Sequence, residues 1–206
     1  MQSDSSTSGS DFLQFKKFMQ QECKVSEKEW EITQQYFKAE SFPKNEYFLN
    51  QGNVCRKMAF ITDGVMRYCM FHEDGTEATC FFMSHDDFVG DPESFFPQTP
   101  SRMNIQALTD CRLITLTHEG NKKLFQYLER AKEIVAAIDH YVMNKMLYQR
   151  TFLLNLDAAV RYREFMKEFP HILQQVPLSY VANFLGITQQ SLSRLRKSLS
   201  ESNTNL

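Results

Sequence analysis

Residues 177–199, PLSYVANFLGITQQSLSRLRKSL, have the spacing of two short helices that pack across a tight turn. The apolar positions that such a pair buries are Val181, Leu185, Ile187, Leu192 and Leu195. Ala182 supplies a small side chain where the two backbones must approach, and Gly186 tolerates the unusual dihedral angles of the turn. The stretch therefore has the pattern of a helix-turn-helix.

The polar face of the second helix suits the major groove of double-stranded DNA. Glutamine amides can pair at two points with adenine and an arginine fork with guanine, whereas hydroxyl and ammonium groups suit phosphate oxygens. We expect base contacts from Gln189, Gln190 and Arg194. We expect phosphate contacts from Thr188, Ser191 and Lys197, with Ser193 on the same face.

A second interpretation of this stretch is an ordinary helical hairpin whose polar face is only solvated. DNA is favoured because residues 177–199 contain no acidic side chain that would repel phosphates. We also predict that Thr188 caps the second helix, with its hydroxyl accepting a hydrogen bond from a backbone N–H of the first turn.

The distribution of charge agrees with a nucleic-acid partner for the C-terminal part. The chain has 206 residues, 42% of them hydrophobic, and a formal net charge of −2. Residues 158–206 alone carry +3, whereas residues 1–157 carry −5. A local basic patch therefore coincides with the predicted DNA-binding segment.

The cellular compartment is indicated by what the sequence lacks. It has no run of about 18 apolar residues, and its start lacks the basic and apolar regions of a signal peptide. The five cysteines are odd in number and form no Cys-x-x-Cys pair, which argues against a disulfide framework or structural zinc. We predict a cytoplasmic protein without a membrane partner and a flexible tail over residues 1–10.

Short runs rich in β-branched and aromatic residues extend from Pro43 to about Thr117. Glycines at positions 52, 64, 75 and 90 separate these runs at intervals of 12, 11 and 15 residues. This texture predicts an antiparallel β-roll or barrel. Two short amphipathic helices are predicted before it, within residues 11–39, and the second begins with a capping box of Ser26 and Glu29.

Four sequence groups occur along the predicted roll, and they are Asn50-Gln51-Gly52, Phe60-Ile61 leading into Gly64, Gly75, and Asp87-Phe88-Val89-Gly90. In this order and spacing they resemble the cyclic-nucleotide-binding fold of the Crp/Fnr transcription regulators. With the terminal helix-turn-helix, the resemblance covers residues from about 12 to 199. It implies an α+β fold with a jelly-roll-like antiparallel β-roll, flanking helices, a long dimerisation helix and a small all-α helix-turn-helix domain.

The resemblance also implies domain boundaries. The expected segments are a sensor domain over 11–128 with its roll at about 43–118, a dimerisation helix over 129–156, and a helix-turn-helix domain over 157–206. Asp157 would cap the first helix of the last domain. The family's helix-turn-helix is usually followed by a β-hairpin wing, and SESNTNL after Leu199 is too short for one, so we expect a wingless domain.

A long helix is predicted within residues 121–154, with an apolar stripe that includes Ile134, Ile138, Val142 and Met146. A stripe of this length must be buried against another surface. In the family this helix pairs with its copy across a dimer axis, which implies a homodimer. The alternative is a stripe that packs wholly within its own chain.

The cyclic-nucleotide pocket implied by the resemblance lacks its key cation. Family members that bind the ligand have Gly-Glu and then an arginine eleven residues after the glycine. Counted from Gly90, Asp91 replaces the glutamate, Ser101 falls on the arginine position, and Arg102 comes one residue late. In a strand, Arg102 would then point to the opposite face.

The purine-contacting pair of the family falls on Met146 and Leu147, which are both apolar. Because a partly buried phosphate without its arginine would lose several kcal/mol, we expect cyclic AMP not to be the ligand. A local slip in the proline-containing loop that turns Arg102 inward is the alternative.

Haem and metal ions are the other cofactors to consider. Cys69 with His72, and Cys80 with His85, contain suitable ligand types. Isolated histidines and cysteines on a roll are more often surface and core residues, so we predict neither haem nor metal.

These observations predict a sequence-specific transcription regulator that binds DNA as a homodimer, with half-sites of an inverted repeat about one helical turn apart. RNA polymerase is a further candidate partner. An enzyme is not expected, because no nucleophile elbow, phosphate loop or catalytic spacing of carboxylates and histidines occurs. The alternative is a small-ligand or cyclic-nucleotide sensor whose terminal helices mediate protein contacts.

Overall fold

Two four-stranded antiparallel sheets form the body of the N-terminal part. The computed structural model describes residues 4–72, 75–154 and 157–204. The strands are β1 (Phe37–Phe42), β2 (Tyr47–Leu49), β3 (Lys57–Asp63), β4 (Met66–Phe71), β5 (Glu77–Met83), β6 (Asp87–Val89), β7 (Asn104–Ala107) and β8 (Cys111–Thr117). One sheet has the order β1-β8-β3-β6 and the other β2-β7-β4-β5. The predicted antiparallel β-roll is confirmed.

Helices precede, interrupt and follow this roll. They are α1 (Asp4–Glu22), α2 (Glu27–Thr33), α3 (Pro92–Phe95), α4 (His118–Tyr127), α5 (Ala131–Leu154), α6 (Ala158–Glu168), α7 (Pro170–Gln175), α8 (Leu178–Phe184) and α9 (Gln189–Thr204). A 3-10 turn at Gln34–Tyr36 leads into β1. The α+β architecture, with a long helix between the roll and a group of short C-terminal helices, is as the sequence predicts.

Helix α1 begins earlier than the sequence predicts. Residues 4–10, which were assigned to a flexible tail, belong to this helix. Phe15 and Met19 are buried against the rest of the domain, and a helix anchored in this way can extend without a new nucleation step. The predicted capping box of α2 is present, since the Ser26 side chain accepts from the Glu29 N–H and the Glu29 carboxylate accepts from the Ser26 N–H at 2.8 Å.

The roll also begins earlier, at Phe37 rather than near Pro43. Strand β1 lies at the edge of its sheet and pairs with β8, with Phe37 opposite Leu116 and Phe42 opposite Cys111. Strand β8 is distant in the sequence, and the backbone groups on its outer side need hydrogen-bond partners, which β1 supplies. Residues 37–39 therefore join the sheet instead of the preceding helices.

An aromatic cluster joins the first two helices to the roll. The Phe15 ring lies 5.5 Å from that of Trp30, 4.8 Å from Phe37 and 5.0 Å from Phe60, measured between centroids. Such ring pairs contribute about 0.5–1.5 kcal/mol each beyond the burial of their apolar area. The N-terminal helices are therefore an integral part of the core that packs against the roll.

The five cysteines are buried and unpaired thiols in the described structure. Burial raises the pKa of the Cys23 thiol to about 11 and that of Cys69 to about 12. Both stay protonated near neutral pH, which makes them inert side chains of the core.

Helix α5 has one face on the roll and one face exposed. Ile134 is buried, and Ile138 and Val142 pack against the same core cluster. The opposite face exposes Met143 and Leu147 to 64% and 60%. None of the helices in the described ranges has the length and apolarity needed to cross a membrane.

The start of the C-terminal helices follows the prediction. The Asp157 carboxylate caps α6 by accepting from the N–H groups of Ala159 and Val160 at 2.8 and 3.0 Å. The predicted end of the long helix at Leu156 lies outside the described residues.

The free edge of β5 is covered by two side-chain amides from different helices. From α5, the Gln149 amide donates to the Phe82 carbonyl at 2.8 Å and accepts from the Phe82 N–H at 3.1 Å. From α8, the Asn183 amide donates to the Glu77 carbonyl at 2.6 Å and accepts from the Thr79 N–H. Each amide imitates a strand backbone, and together they fasten α5 and α8 to the same edge.

A buried arginine strengthens this attachment. Arg67 on β4 is only 1% exposed and forms an ion pair with Glu77. Its guanidinium also donates to Gln106, and the Tyr180 ring of α8 lies 3.8 Å above it. A cation–π contact of a desolvated arginine can contribute about 2 kcal/mol. The C-terminal helices therefore dock on the roll through α8.

We expect Gln149→Ala to lower the free energy of unfolding by about 2–3 kcal/mol, because two backbone groups of Phe82 lose their partners in a buried place. Urea denaturation measures this loss. The control is Gln174→Ala, which removes an exposed amide of α7 and should change stability by no more than about 0.5 kcal/mol. Equal effects of the two substitutions would contradict the role assigned to Gln149.

Candidate functional site

The turn between α8 and α9 depends on a left-handed glycine. Gly186 has a φ of +68°, and its N–H donates to the Asn183 carbonyl at 3.0 Å. A Cβ at this glycine would meet no atom within 4 Å, so the requirement is conformational and not one of space. Ala182 and Leu192 are buried at 1% and 0% exposure where the two helices pack. The predicted helix-turn-helix geometry is present.

Thr188 caps α9 in the way that the sequence predicts. Its Oγ1 accepts from the Ser191 N–H at 3.1 Å and lies 3.0 Å from the Ser191 Oγ, to which it donates. In this arrangement the Thr188 hydroxyl proton is donated to Ser191. The Ser191 hydroxyl can therefore still donate to a phosphate, whereas the Thr188 hydroxyl cannot.

Five polar side chains of α9 share one exposed face, and they are Gln189, Gln190, Ser193, Arg194 and Lys197. Residues three and four apart lie on the same side of a helix, and Leu192 on the other side is buried. The face has two cations and no acid, with Thr188 and Ser191 at its N-terminal end. The structure thus places five of the seven candidate DNA-binding residues on one exposed face and the other two, Thr188 and Ser191, in the N-terminal cap of the helix.

Arg161 has a structural role that its charge alone did not indicate. Its Nε donates to the Leu185 carbonyl at 3.1 Å, which is the carbonyl at the C-terminal end of α8. A cation there also interacts favourably with the helix dipole. Arg161 therefore fixes the turn that orients α9.

The peptide that precedes the implied ligand loop is fixed by a buried tyrosine. The Tyr68 hydroxyl donates to the Gly90 carbonyl at 2.8 Å and accepts from the Gly90 N–H at 2.9 Å. Gly90 has a φ of +146°, and a Cβ there would lie 2.3 Å from the Met58 sulphur. Glycine is therefore favoured at this position by its conformation, and a larger residue would also have to displace the flexible Met58 side chain.

The position of the family's arginine is occupied by a serine that bonds to an acid. Ser101 is 4% exposed, and its hydroxyl donates to Asp91 Oδ2 at 2.6 Å. The other oxygen of Asp91 caps α3 by accepting from the Glu93 N–H at 3.1 Å. Arg102 is exposed, so the slip that would turn it inward is not the register of this structure.

A cavity of about 340 Å³ lies between the roll and α5. Its lining residues are Met58, Tyr68, Phe88, Val89, Gly90, Pro92, Glu93, Ile138, Asp139, Val142, Met143 and Met146. Of the two residues on the purine-contacting positions, Met146 lines the cavity and Leu147 does not. Leu147 lies on the exposed face of α5 instead.

The charged groups at this cavity are acidic. Glu93 and Asp139 are the charged members of its described lining. Burial against the apolar wall raises the pKa of the Asp139 carboxyl. Among the described residues this carboxyl forms no ion pair, so a cation placed at the rim would stabilise its charged form.

A larger cavity of about 650 Å³ lies on the other side of α5, next to α7. Lys145 and Asp87 form an ion pair in its wall, and Asp87 is only 4% exposed. The His171 imidazole accepts from or donates to Ser84 Oγ at 3.0 Å, and burial lowers its pKa. Sequence reasoning did not find this group, since its members come from strand, long helix and terminal domain.

The cysteine and histidine candidates do not converge. Within the described ranges, no three His, Cys, Asp or Glu side chains are placed to hold a metal ion. Cys69 is fully buried whereas His72 is exposed.

Comparisons with known proteins agree with this architecture. Residues 39–127 match the family model described as cyclic nucleotide-binding domain. No curated protein matches the chain at a significant level.

Solved structures of transcription regulators have the same fold. FixK2 from Bradyrhizobium japonicum is 15% identical with a TM-score of 0.69, and the match covers 81% of this chain and 86% of FixK2. The c-di-GMP-responsive global regulator CLP of Xanthomonas campestris is 18% identical with a TM-score of 0.67, covering 86% and 93%. Catabolite activator protein of Thermus thermophilus is 17% identical with a TM-score of 0.53, covering 90% and 87%.

These likenesses place the chain by its fold. The three matches extend over the roll and beyond it, since each covers at least 81% of this chain. Residues 39–127 match the cyclic nucleotide-binding domain model, and the chain has the fold of the Crp/Fnr transcription regulators over the 81–90% of its length that these structures cover.

Proposed function

We propose that the protein is a sequence-specific transcription regulator that binds an inverted-repeat DNA operator as a homodimer and does not respond to cyclic AMP. The observation that carries this proposal is the capped, exposed polar face that residues 188–199 form after a well-formed turn, a stretch whose sequence contains no acidic residue. Its side chains have the hydrogen-bonding groups that match base edges and phosphates.

Base recognition is assigned to the middle of this face. Gln189, Gln190 and Arg194 project from the N-terminal half of α9, the part of a recognition helix that enters the major groove. Phosphate contacts are assigned to the Ser191 hydroxyl in the first turn of α9 and to the Lys197 ammonium about two turns later. The net charge of +3 on residues 158–206 supports this assignment.

The exposed stripe of α5 supports a homodimer. Met143, Leu147 and Leu154 are 64%, 60% and 74% exposed, and their spacing puts them on one side of the helix. A second copy is a suitable occupant, because a two-fold axis would bring identical apolar stripes together. The same axis would hold two α9 helices for two half-sites.

The lack of a cyclic AMP response follows from the Ser101–Asp91 hydrogen bond. A phosphate at this place would meet a carboxylate instead of a guanidinium. In a partly buried site, that exchange of sign removes the main source of binding energy.

Selection of bound duplexes from a random DNA pool tests the proposal directly. We expect an enriched palindrome whose half-sites lie about 10 bp apart, centre to centre. With about six phosphate contacts in the dimer, the affinity should fall about 1,000-fold between 50 and 200 mM salt. Binding that is weak and indifferent to sequence would favour a sensor that acts through protein contacts.

Arg194→Ala should weaken binding to the selected operator by about 1–3 kcal/mol and relax specificity at one base pair. Affinities for a panel of single-base variants of the operator measure both effects. Lys197→Ala is the matched control on the same face, and it should weaken all duplexes alike while reducing the salt dependence. If Arg194→Ala also weakened all duplexes alike, Arg194 would be a phosphate contact.

Leu147→Glu should convert the dimer to a monomer, because it places two carboxylates against each other in an apolar interface. We expect the dimer dissociation constant to rise at least about 100-fold, or about 2.7 kcal/mol. Sedimentation equilibrium measures it. Tyr127→Glu changes an equally exposed apolar side chain on α4, and it should leave the dimer intact. Dissociation by both variants, or by neither, would contradict the assigned interface.

A further inference from the structure

The cavity between the roll and α5 has a charge opposite to that of a nucleotide pocket. Its described lining contains Glu93 and Asp139 but no lysine, arginine or histidine. A third acid, Asp91, lies between the lining residues Gly90 and Pro92 in the sequence. Its carboxylate accepts a hydrogen bond from the Ser101 hydroxyl. An anionic ligand would therefore be repelled from every charged group that it could approach.

Among the described lining residues, the side-chain hydroxyl donor is already used. The Tyr68 hydroxyl donates to the Gly90 carbonyl and accepts from the Gly90 N–H. Pro92 has no N–H to offer. The polar groups that remain for a ligand are the two carboxylates, which only accept hydrogen bonds when ionised. A cyclic nucleotide does not fit these residues, whereas a donor with positive charge does.

The rest of the cavity is apolar and adaptable. Met58, Met143 and Met146 form much of its wall, and methionine side chains adjust to irregular apolar ligands. A volume of about 340 Å³ is at the small end of the range of ligand pockets. A smaller hollow of about 60 Å³ shares four lining residues with the cavity, which are Met58, Phe88, Ile138 and Asp139. The space suits a compact ligand with an apolar body.

We propose that this cavity binds a small hydrophobic amine in its protonated form. The ammonium group pairs with Asp139 at the rim, and the apolar body lies between Met58 and Val142. Phe88 adds an aromatic ring to the same wall, and rings also attract cations. The ligand class is thus the opposite of the anionic class that the domain family's description implies.

Ligand binding at this place would bear on helix α5. Asp139, Val142 and Met146 face the cavity, whereas Leu147 on the same helix belongs to the exposed stripe. Occupancy would therefore add contacts between the roll and the helix that carries the proposed dimer interface. The binding event itself does not depend on DNA binding.

The test uses the full-length protein with methyl-¹³C methionine, whose Met58 and Met146 signals are assigned by Met→Leu substitution. The probes are 2-phenylethylammonium, phenylacetate and cyclic AMP, so that a cation and an anion of similar size are compared. We expect saturable shifts of both methyl signals with the ammonium, affinity at least about tenfold weaker for phenylacetate, and no saturable shift with cyclic AMP.

A charge-removing variant identifies the partner of the ammonium. Asp139→Asn keeps the shape of the rim, and it should weaken 2-phenylethylammonium about tenfold while leaving phenylacetate unchanged or tighter. Glu119→Gln removes an exposed acid on α4 that does not line the cavity, and it should have no effect. Both substitutions lie at exposed positions, so a loss of fold is not expected from either.

The following results would overturn the proposal: no probe shifts Met58 and Met146, an anion binds as tightly as the ammonium, or Asp139→Asn and Glu119→Gln have the same effect. Because the readout is at the cavity and contains no DNA, a failure of the proposed DNA binding would not change it. Conversely, loss of ammonium binding would leave the selected operator unaffected.

Discussion

The free edge of β5 is the constraint on which the arrangement of the molecule depends. An edge strand has backbone N–H and C=O groups that must find partners wherever water is excluded. Here the partners are the Gln149 and Asn183 amides, one from the long helix and one from the first helix of the helix-turn-helix. Since a side-chain amide bonds at two points only in one orientation, both helices have a defined position relative to the roll.

Arg67 adds energy to this defined position. A fully buried guanidinium is costly unless its donors are satisfied, and Glu77, Thr79 and Gln106 satisfy them within the roll. The open face of the guanidinium is then covered by Tyr180 of α8. The burial of Arg67 is thus complete only when the C-terminal helices are docked, which couples a charge inside the roll to the location of α9.

The sequence predicted the elements whose signals are local. The left-handed Gly186, the caps at Ser26, Thr188 and Asp157, and the alternation of the strands all depend on neighbours within a few residues. The sequence did not predict the start of β1, because its partner strand β8 lies about seventy to eighty positions away.

The candidate sites divide in the same way. The face of α9 could be predicted because its five exposed residues follow a helical repeat. The missing cation at Ser101 could also be predicted, because a count from Gly90 suffices. The roles of Gln149 and Asn183 could not be predicted, because both look like ordinary surface amides until β5 lies beside them. The cavity's acidic rim was also invisible, since Glu93 and Asp139 come from different elements.

The size of the cavity limits how strongly any ligand in it could control α5. Moving a two-state equilibrium from 1:99 to 99:1 requires about 5.5 kcal/mol of differential binding. A ligand of about ten non-hydrogen atoms binds with roughly 3–15 kcal/mol in total, from about 0.3 to 1.5 kcal/mol per atom. Only the part of this binding free energy that is lost when α5 moves contributes to the differential binding.

That share is large here because α5 itself supplies Ile138, Asp139, Val142 and Met146 to the cavity wall. In the proposed dimer, two occupied cavities would act on one pair of helices, so that their differential energies add if the pair moves as a unit. About 3 kcal/mol per subunit would then suffice, which lies within the usual range of coupling between sites. A small ligand is therefore adequate for control only if the two long helices respond together.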